Sequence, residues 1–180
     1  MVGKKLVVVF PGGNYSVEMP LLYYANFKYV VQGYEELAIS YGDYSKKGRD
    51  VTEADKKKMR EDVLQQVKDI DFTQYEDIVF VSKSMGTTVA GWLELTLGMK
   101  VRHIFLTPIE GTLQYITPHQ SIIIVIAGTC DKFLDAYKLK QHCAEAGIPL
   151  HQIEGVGHRL EVFGDMEINI DILKEIVSLY

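Results

Sequence analysis

Short runs rich in Val, Ile and Phe alternate along the chain with stretches of helical periodicity. The runs Lys5 to Phe10, Glu36 to Tyr41, Asp77 to Ser82, Val101 to Leu106, Ser121 to Ala127 and Leu150 to Ile153 read as strands. Ile122 to Ile126 is apolar without alternation, as expected of a parallel strand covered on both faces. Between these runs, Pro20 to Val31 reads as a helix with proline in its first turn. Thr52 to Ile70 reads as a second, capped by Thr52 with Asp55 three residues on. Its apolar Met59, Val63, Val67 and Ile70 share one face, and the charges between them read as the solvated side. Met85 to Leu97 is apolar nearly all round and reads as a helix buried against the sheet. Two further helices are predicted, Asp135 to Ala146 and Asp165 to Tyr180.

Regular alternation of strand and helix favours an open, mostly parallel sheet with helices on both sides, a three-layer α/β/α sandwich. Ligands in such sheets bind beyond the carboxyl ends of the strands. Pro11-Gly12-Gly13-Asn14, Ser84, Asp131 and His158 all fall just past predicted strand ends.

Composition narrows the picture. With 180 residues, 47% of them hydrophobic, the chain suits a single domain over 1–180. The net charge of -5 gives no electrostatic reason to expect nucleic acid, and the basic Lys56-Lys57-Lys58 is interleaved with acids. No apolar run approaches the roughly 20 residues that cross a bilayer, so no membrane partner is expected. The N-terminal apolar run lacks the flanks of a secretion signal. Cys130 and Cys143 lie far apart without metal-ligand spacing, which suits reduced thiols in a cytoplasmic protein. No metal and no cofactor are implied.

The candidate chemistry centres on Ser84, in Ser82-Lys83-Ser84-Met85-Gly86, where an apolar strand gives way abruptly to a helix. A tight turn of that kind needs small flanking residues so that the serine oxygen stands above the sheet. The pattern is S-x-S-x-G where the usual elbow is G-x-S-x-G. A serine hydroxyl needs a base to take its proton and a carboxylate to orient that base. His158, in Gly155-Val156-Gly157-His158, is the candidate base; His103, His142 and His151 fall in predicted strands or helices, and His119 precedes the acid. Asp131, directly after the most apolar strand, is the candidate acid, with Asp135 as alternate or as a helix cap. Donors for the oxyanion are the backbone of Met85 and of Gly13, with Asn14 the alternate.

On these residues, Phe10-Pro11-Gly12-Gly13-Asn14, Ser82 to Gly86, Gly128-Thr129-Cys130-Asp131 and Gly157-His158, the chain resembles the small, capless serine hydrolases of the α/β-hydrolase superfamily. The resemblance spans nearly the whole chain. It implies a minimal version with six parallel strands, no lid domain, and an open or shallow site beside the loop Thr107 to Gln120. Ser82 in place of the elbow glycine, and Pro11 where many members have histidine, depart from the pattern. Tyr15, Tyr23 and Tyr24 are candidate substrate contacts. The activity implied is hydrolysis of a carboxylic ester or thioester through an acyl-enzyme on Ser84. A peptidase or acyltransferase with the same triad, and a binding or scaffold protein retaining the fold, are the alternatives.

Overall fold

The computed structural model describes residues 3–42, 44 and 52–180. Six strands, β1 (Lys4–Phe10), β2 (Glu35–Ala38), β3 (Tyr75–Lys83), β4 (Arg102–Leu106), β5 (Ser121–Gly128) and β6 (Leu150–Ile153), form one sheet in the order β2-β1-β3-β4-β5-β6. Every neighbouring pair is parallel. Among the described residues, four α-helices lie between strands, α1 (Pro20–Val30), α2 (Glu53–Val67), α3 (Met85–Leu97) and α4 (Ala136–Ala146), and a fifth, α5 (Met166–Leu179), follows β6.

Alternate side chains of a strand point to opposite faces, so a strand buried on both sides feeds two cores. Leu6, Val8 and Phe10 of β1 pack with residues of α2, α3 and α4. Val7 and Val9, one position out of phase, pack with α1 and α5. This is the three-layer sandwich that the alternation of elements predicted, with no separate lid domain.

Local signals match the observed ends. Thr52 Oγ1 accepts the Asp55 N–H at 3.2 Å while Asp55 Oδ2 accepts the Thr52 N–H at 3.0 Å, a reciprocal cap that starts α2. Asp135 caps α4 by accepting the Lys138 N–H at 2.8 Å. Two expectations are revised. The second strand ends at Ala38, not Tyr41; Ile39 still donates to Val9 O at 2.9 Å, and Ile39 and Tyr41 stay buried as the chain leaves the ladder. Helix α3 is not buried all round, since Leu95 and Leu97 are exposed while Val89, Ala90 and Leu93 face the core. A helix in an outer layer has only one face against the sheet. Among the described residues, no helix is long and apolar enough to cross a membrane.

The carboxyl end of β5 is drawn tightly onto the loop that follows β6. A Cβ built at Gly128 would overlap the carbonyl oxygen of Val156. Cys130 N–H donates to that same oxygen at 2.9 Å, and Thr129 N–H donates to Ile153 O at 3.0 Å. Gly128→Ala should therefore lower stability by about 1–3 kcal/mol, the usual cost of overpacking, read as a fall in the urea midpoint. An unchanged midpoint would mean the two segments separate freely.

Candidate active site

Ser84 joins β3 to α3 in a conformation that side chains rarely adopt, with φ 55° and ψ -122°. Such a backbone costs on the order of 1–3 kcal/mol and persists only where its surroundings enforce it. Three contacts do so here. Ser84 N–H donates to Leu106 O at the end of β4 at 2.9 Å. Thr87 returns both its N–H and its hydroxyl to Ser84 O, at 3.0 and 2.5 Å. Gly86 lies so close to β1 that a Cβ there would meet the carbonyl oxygens of Pro11 and Phe10 at 2.5 and 2.7 Å.

The sharp turn lifts the serine oxygen towards the loop after β6. Ser84 Oγ lies 2.7 Å from His158 Nε2, and His158 Nδ1 lies 2.7 Å from Asp131 Oδ2. A carboxylate only accepts, so Nδ1 carries the proton it donates to Asp131 and Nε2 is left to accept from Ser84. The Asp131 side chain is buried, and its other oxygen accepts the Phe133 N–H at 2.8 Å. The Phe133 ring packs 4.3 Å from the imidazole. Residues 74 positions apart in sequence thus form one line of hydrogen bonds. Asp135, the alternate acid, serves α4 as its cap instead.

Three other histidines are engaged elsewhere. His103 is buried in β4 and meets Glu94 at 3.0 Å, His142 meets Ile116 O, and His151 meets Glu175.

Met85 opens α3, and the first N–H groups of a helix have no partner within it. Gly13 and Asn14, from the loop after β1, line the same cavity as Ser84 and His158. Gly12 is pressed between Ser84 and Tyr15, where an added Cβ would lie 3.3 Å from each Cβ. Met85, Gly13 and Asn14 thus line one cavity with Ser84.

The cavity over Ser84 holds about 800 Å³. The short turn Glu110–Tyr115 after β4 supplies one side, through Ile109 and Gly111, and α2 supplies a wall through Lys56, Met59 and Arg60. A lid domain is not needed, because α2 already stands beside the strand ends. Of the three tyrosines proposed as substrate contacts, Tyr15 lines the cavity. Its hydroxyl accepts the Leu21 N–H at 3.0 Å, and burial pushes its pKa up to about 12. Tyr23 and Tyr24 do not line the cavity; they are exposed on α1, packed edge to face on each other.

No protein-family model matches the chain, and no curated protein matches it in sequence. Solved structures do match in shape. An alpha-beta serine hydrolase homologue from Coxiella burnetii superposes with a TM-score of 0.63 at 13% identity, over 97% of this chain and 84% of that one. The alpha/beta hydrolase domain-containing protein 10 from mouse gives 0.62 at 13% identity, over 99% and 92%. A thermophilic esterase from Thermogutta terrifontis, solved with propionate bound, gives 0.62 at 17% identity, over 98% and 80%. The fold is that of the α/β-hydrolases.

Within the α/β-hydrolase fold the two departures from pattern have local explanations. Ser82 is fully buried in β3, and its hydroxyl donates to Ile104 O at 3.3 Å, so a small polar side chain is accommodated beside β4. Pro11 adds no donor to the loop; its carbonyl is part of the surface against which Gly86 packs.

One residue of the site carried no signal in the sequence reading. Lys83, immediately before Ser84, is buried, and its ammonium donates to Thr107 Oγ1 at 2.7 Å and to the main-chain oxygen of His158 at 2.8 Å. It also lies 5.0 Å over the Tyr15 ring. Lys83 thus ties the base-bearing loop to the ends of β3 and β4. Loss of water around the ammonium pushes its pKa down to about 7, opposed by the negative charges of Asp131 and Glu161 and reinforced by Arg159.

The sign of the resulting pH dependence is fixed. Below about 7 both folded and unfolded chains hold this proton, and the cost of burying the charge is present in full. Between about 7 and the ordinary value of 10.5 the unfolded chain binds more protons, so stability rises with pH. The unfolding free energy of the native protein minus that of Lys83→Met should climb between about pH 6 and about pH 9.5 in denaturant titrations. A flat or falling difference would show that Lys83 is not buried as a charge.

Proposed function

We propose that the chain is a serine hydrolase that cleaves a carboxylic ester or thioester through an acyl-enzyme on Ser84. The observation that carries this reading is the pair of 2.7 Å hydrogen bonds running from Ser84 Oγ through His158 to Asp131. Hydrolases and an esterase among the structures of like fold support it.

The steps follow from the geometry. His158 Nε2 takes the Ser84 proton as Oγ forms a bond to the acyl carbon. The carbonyl oxygen becomes an oxyanion, which the Met85 N–H and the Gly13 loop, with Asn14 as alternate, stabilise. Removing one such donor typically costs about a hundred- to a thousandfold in rate. The imidazolium, held and stabilised by Asp131, returns its proton to the departing alcohol or thiol as the C–O or C–S bond breaks. Water then attacks the acyl-enzyme, with His158 again as base, and releases the acid and free Ser84. The substrate is a small molecule that fits the cavity over Ser84. Cys130 is an exposed and Cys143 a buried free cysteine.

A fluorophosphonate probe tests the nucleophile. The native protein should be labelled stoichiometrically, Ser84→Ala should not be labelled, and Asp131→Asn should label far more slowly than Asp135→Asn. An unlabelled native protein, or equal labelling of Ser84→Ala, would overturn the reading.

A further inference from the structure

Among the described residues, the Lys, Arg, Asp and Glu side chains that line the cavity over Ser84 are all basic, in a chain that is acidic as a whole. The sequence carries 24 Asp and Glu against 19 Lys and Arg. Among the described residues, however, Lys56, Arg60, Lys83 and Arg159 line the cavity and no Asp or Glu does. Low-dielectric walls bearing one sign of charge focus the field on whatever enters.

The four cations are not equivalent. Lys83 is buried and bonded to Thr107 and His158. Lys56 is paired with Glu53 at 2.6 Å, and Arg159 with Glu161 at 2.8 Å. Among the described residues Arg60 is in no direct ion pair, and its charge acts on the Glu53 carboxylate only from a distance. Its guanidinium lies 5.3 Å over the Trp92 ring of α3, which restrains the side chain that Arg60 brings to the cavity. Lys56 and Arg60 are four residues apart on α2, on one face of the helix. The same cavity is lined by the apolar Met59, Met85, Val89, Ile109 and Phe133, with Tyr44 and Thr88 beside them. A ligand that satisfies both parts has an apolar stretch next to its reacting carbonyl and a negative charge beyond it.

We propose that this site selects esters or thioesters bearing an anionic group, a carboxylate or a phosphate, received at the cavity edge by Arg60. The inference rests on the hydrolase reading above and adds its substrate class. A guanidinium matches either oxyanion with paired N–H donors. The charge enters with the acyl part if it is a carboxylate at the far end of a diacid, or with the leaving group if it is a phosphate on a thiol.

Two matched pairs of substrates separate these sources. The first is mono-p-nitrophenyl adipate against the same compound with its free carboxylate methylated, read as p-nitrophenolate release. The second is the butyryl thioester of phosphopantetheine against that of pantetheine, read as free thiol. The native protein should favour the anionic member of at least one pair by about tenfold or more in kcat/KM, and the preference should shrink as salt is raised to about 0.5 M. The pair that responds identifies the source of the charge. Arg60→Gln should bring the ratio within that pair to about twofold, and Arg60→Lys should retain most of it. Equal turnover of both members of both pairs by a native protein whose Ser84 still reacts with fluorophosphonate would overturn the substrate class and leave the hydrolase standing. So would a preference that survives in Arg60→Gln. Failure of the hydrolase reading has a different signature, since Ser84 would then not react with the probe at all.

Discussion

Ser84 occupies a backbone conformation that side chains avoid, and the contact that keeps it there lies between Gly86 and the last carbonyls of β1. Any side chain at position 86 would push α3 away from the Phe10 and Pro11 oxygens and relax the turn. The rest of the site depends on that approach. It sets the height of Ser84 Oγ above the sheet and brings the amino end of α3 beside the Gly12-Gly13 loop, with Met85 and Gly13 lining the cavity next to Ser84. The strain is offset by the surrounding core, in which Phe10, Phe80 and Leu93 are fully buried. Core packing in this chain thus acts on chemistry through a single residue's backbone.

Parallel strands bring their carboxyl ends to one edge, and the loops there converge without long excursions. The β5 end reaches the Val156 main chain across Gly128, which places Asp131 and His158 side by side. Lys83 spans the same edge from inside, joining β3, the residue after β4 and the His158 main chain. A buried ammonium is costly, and its two oxygen partners and the aromatic face of Tyr15 reduce that cost. Removing it would leave Thr107 and the His158 carbonyl without their donor and loosen the base rather than the nucleophile.

The order of elements and the parallel sheet were legible in the sequence, because each rests on a short-range signal, and Ser84, Asp131 and His158, singled out at predicted strand ends, lie within hydrogen-bond reach of one another. Apolar runs mark strands, Thr52 and Asp135 mark helix starts, and small residues around Ser84 mark a turn. What was not legible depends on which elements meet. The charges of α2 read as a solvated face, and Lys56, Lys57, Lys58 and Arg60 are all exposed; that Lys56 and Arg60 also border the cavity depends on α2 standing beside the strand ends. Lys83 gave no signal, since burial of a lysine between two strands cannot be inferred from its neighbours in sequence. Tyr23 and Tyr24 follow the oxyanion loop closely in sequence, but the turn into α1 carries them away from the cavity. The cavity itself arises from α2 and the turn after β4, which are over 40 residues apart in sequence.

The central claim is that Ser84 forms the covalent intermediate. Rapid acid quenching of the native protein with a p-nitrophenyl ester, followed by peptide mass mapping, tests it most directly when Ser84→Ala is run alongside. The account predicts an acyl mass on the Ser84 peptide accompanying p-nitrophenolate release, with both lost in Ser84→Ala. Release by Ser84→Ala at the native rate would contradict it.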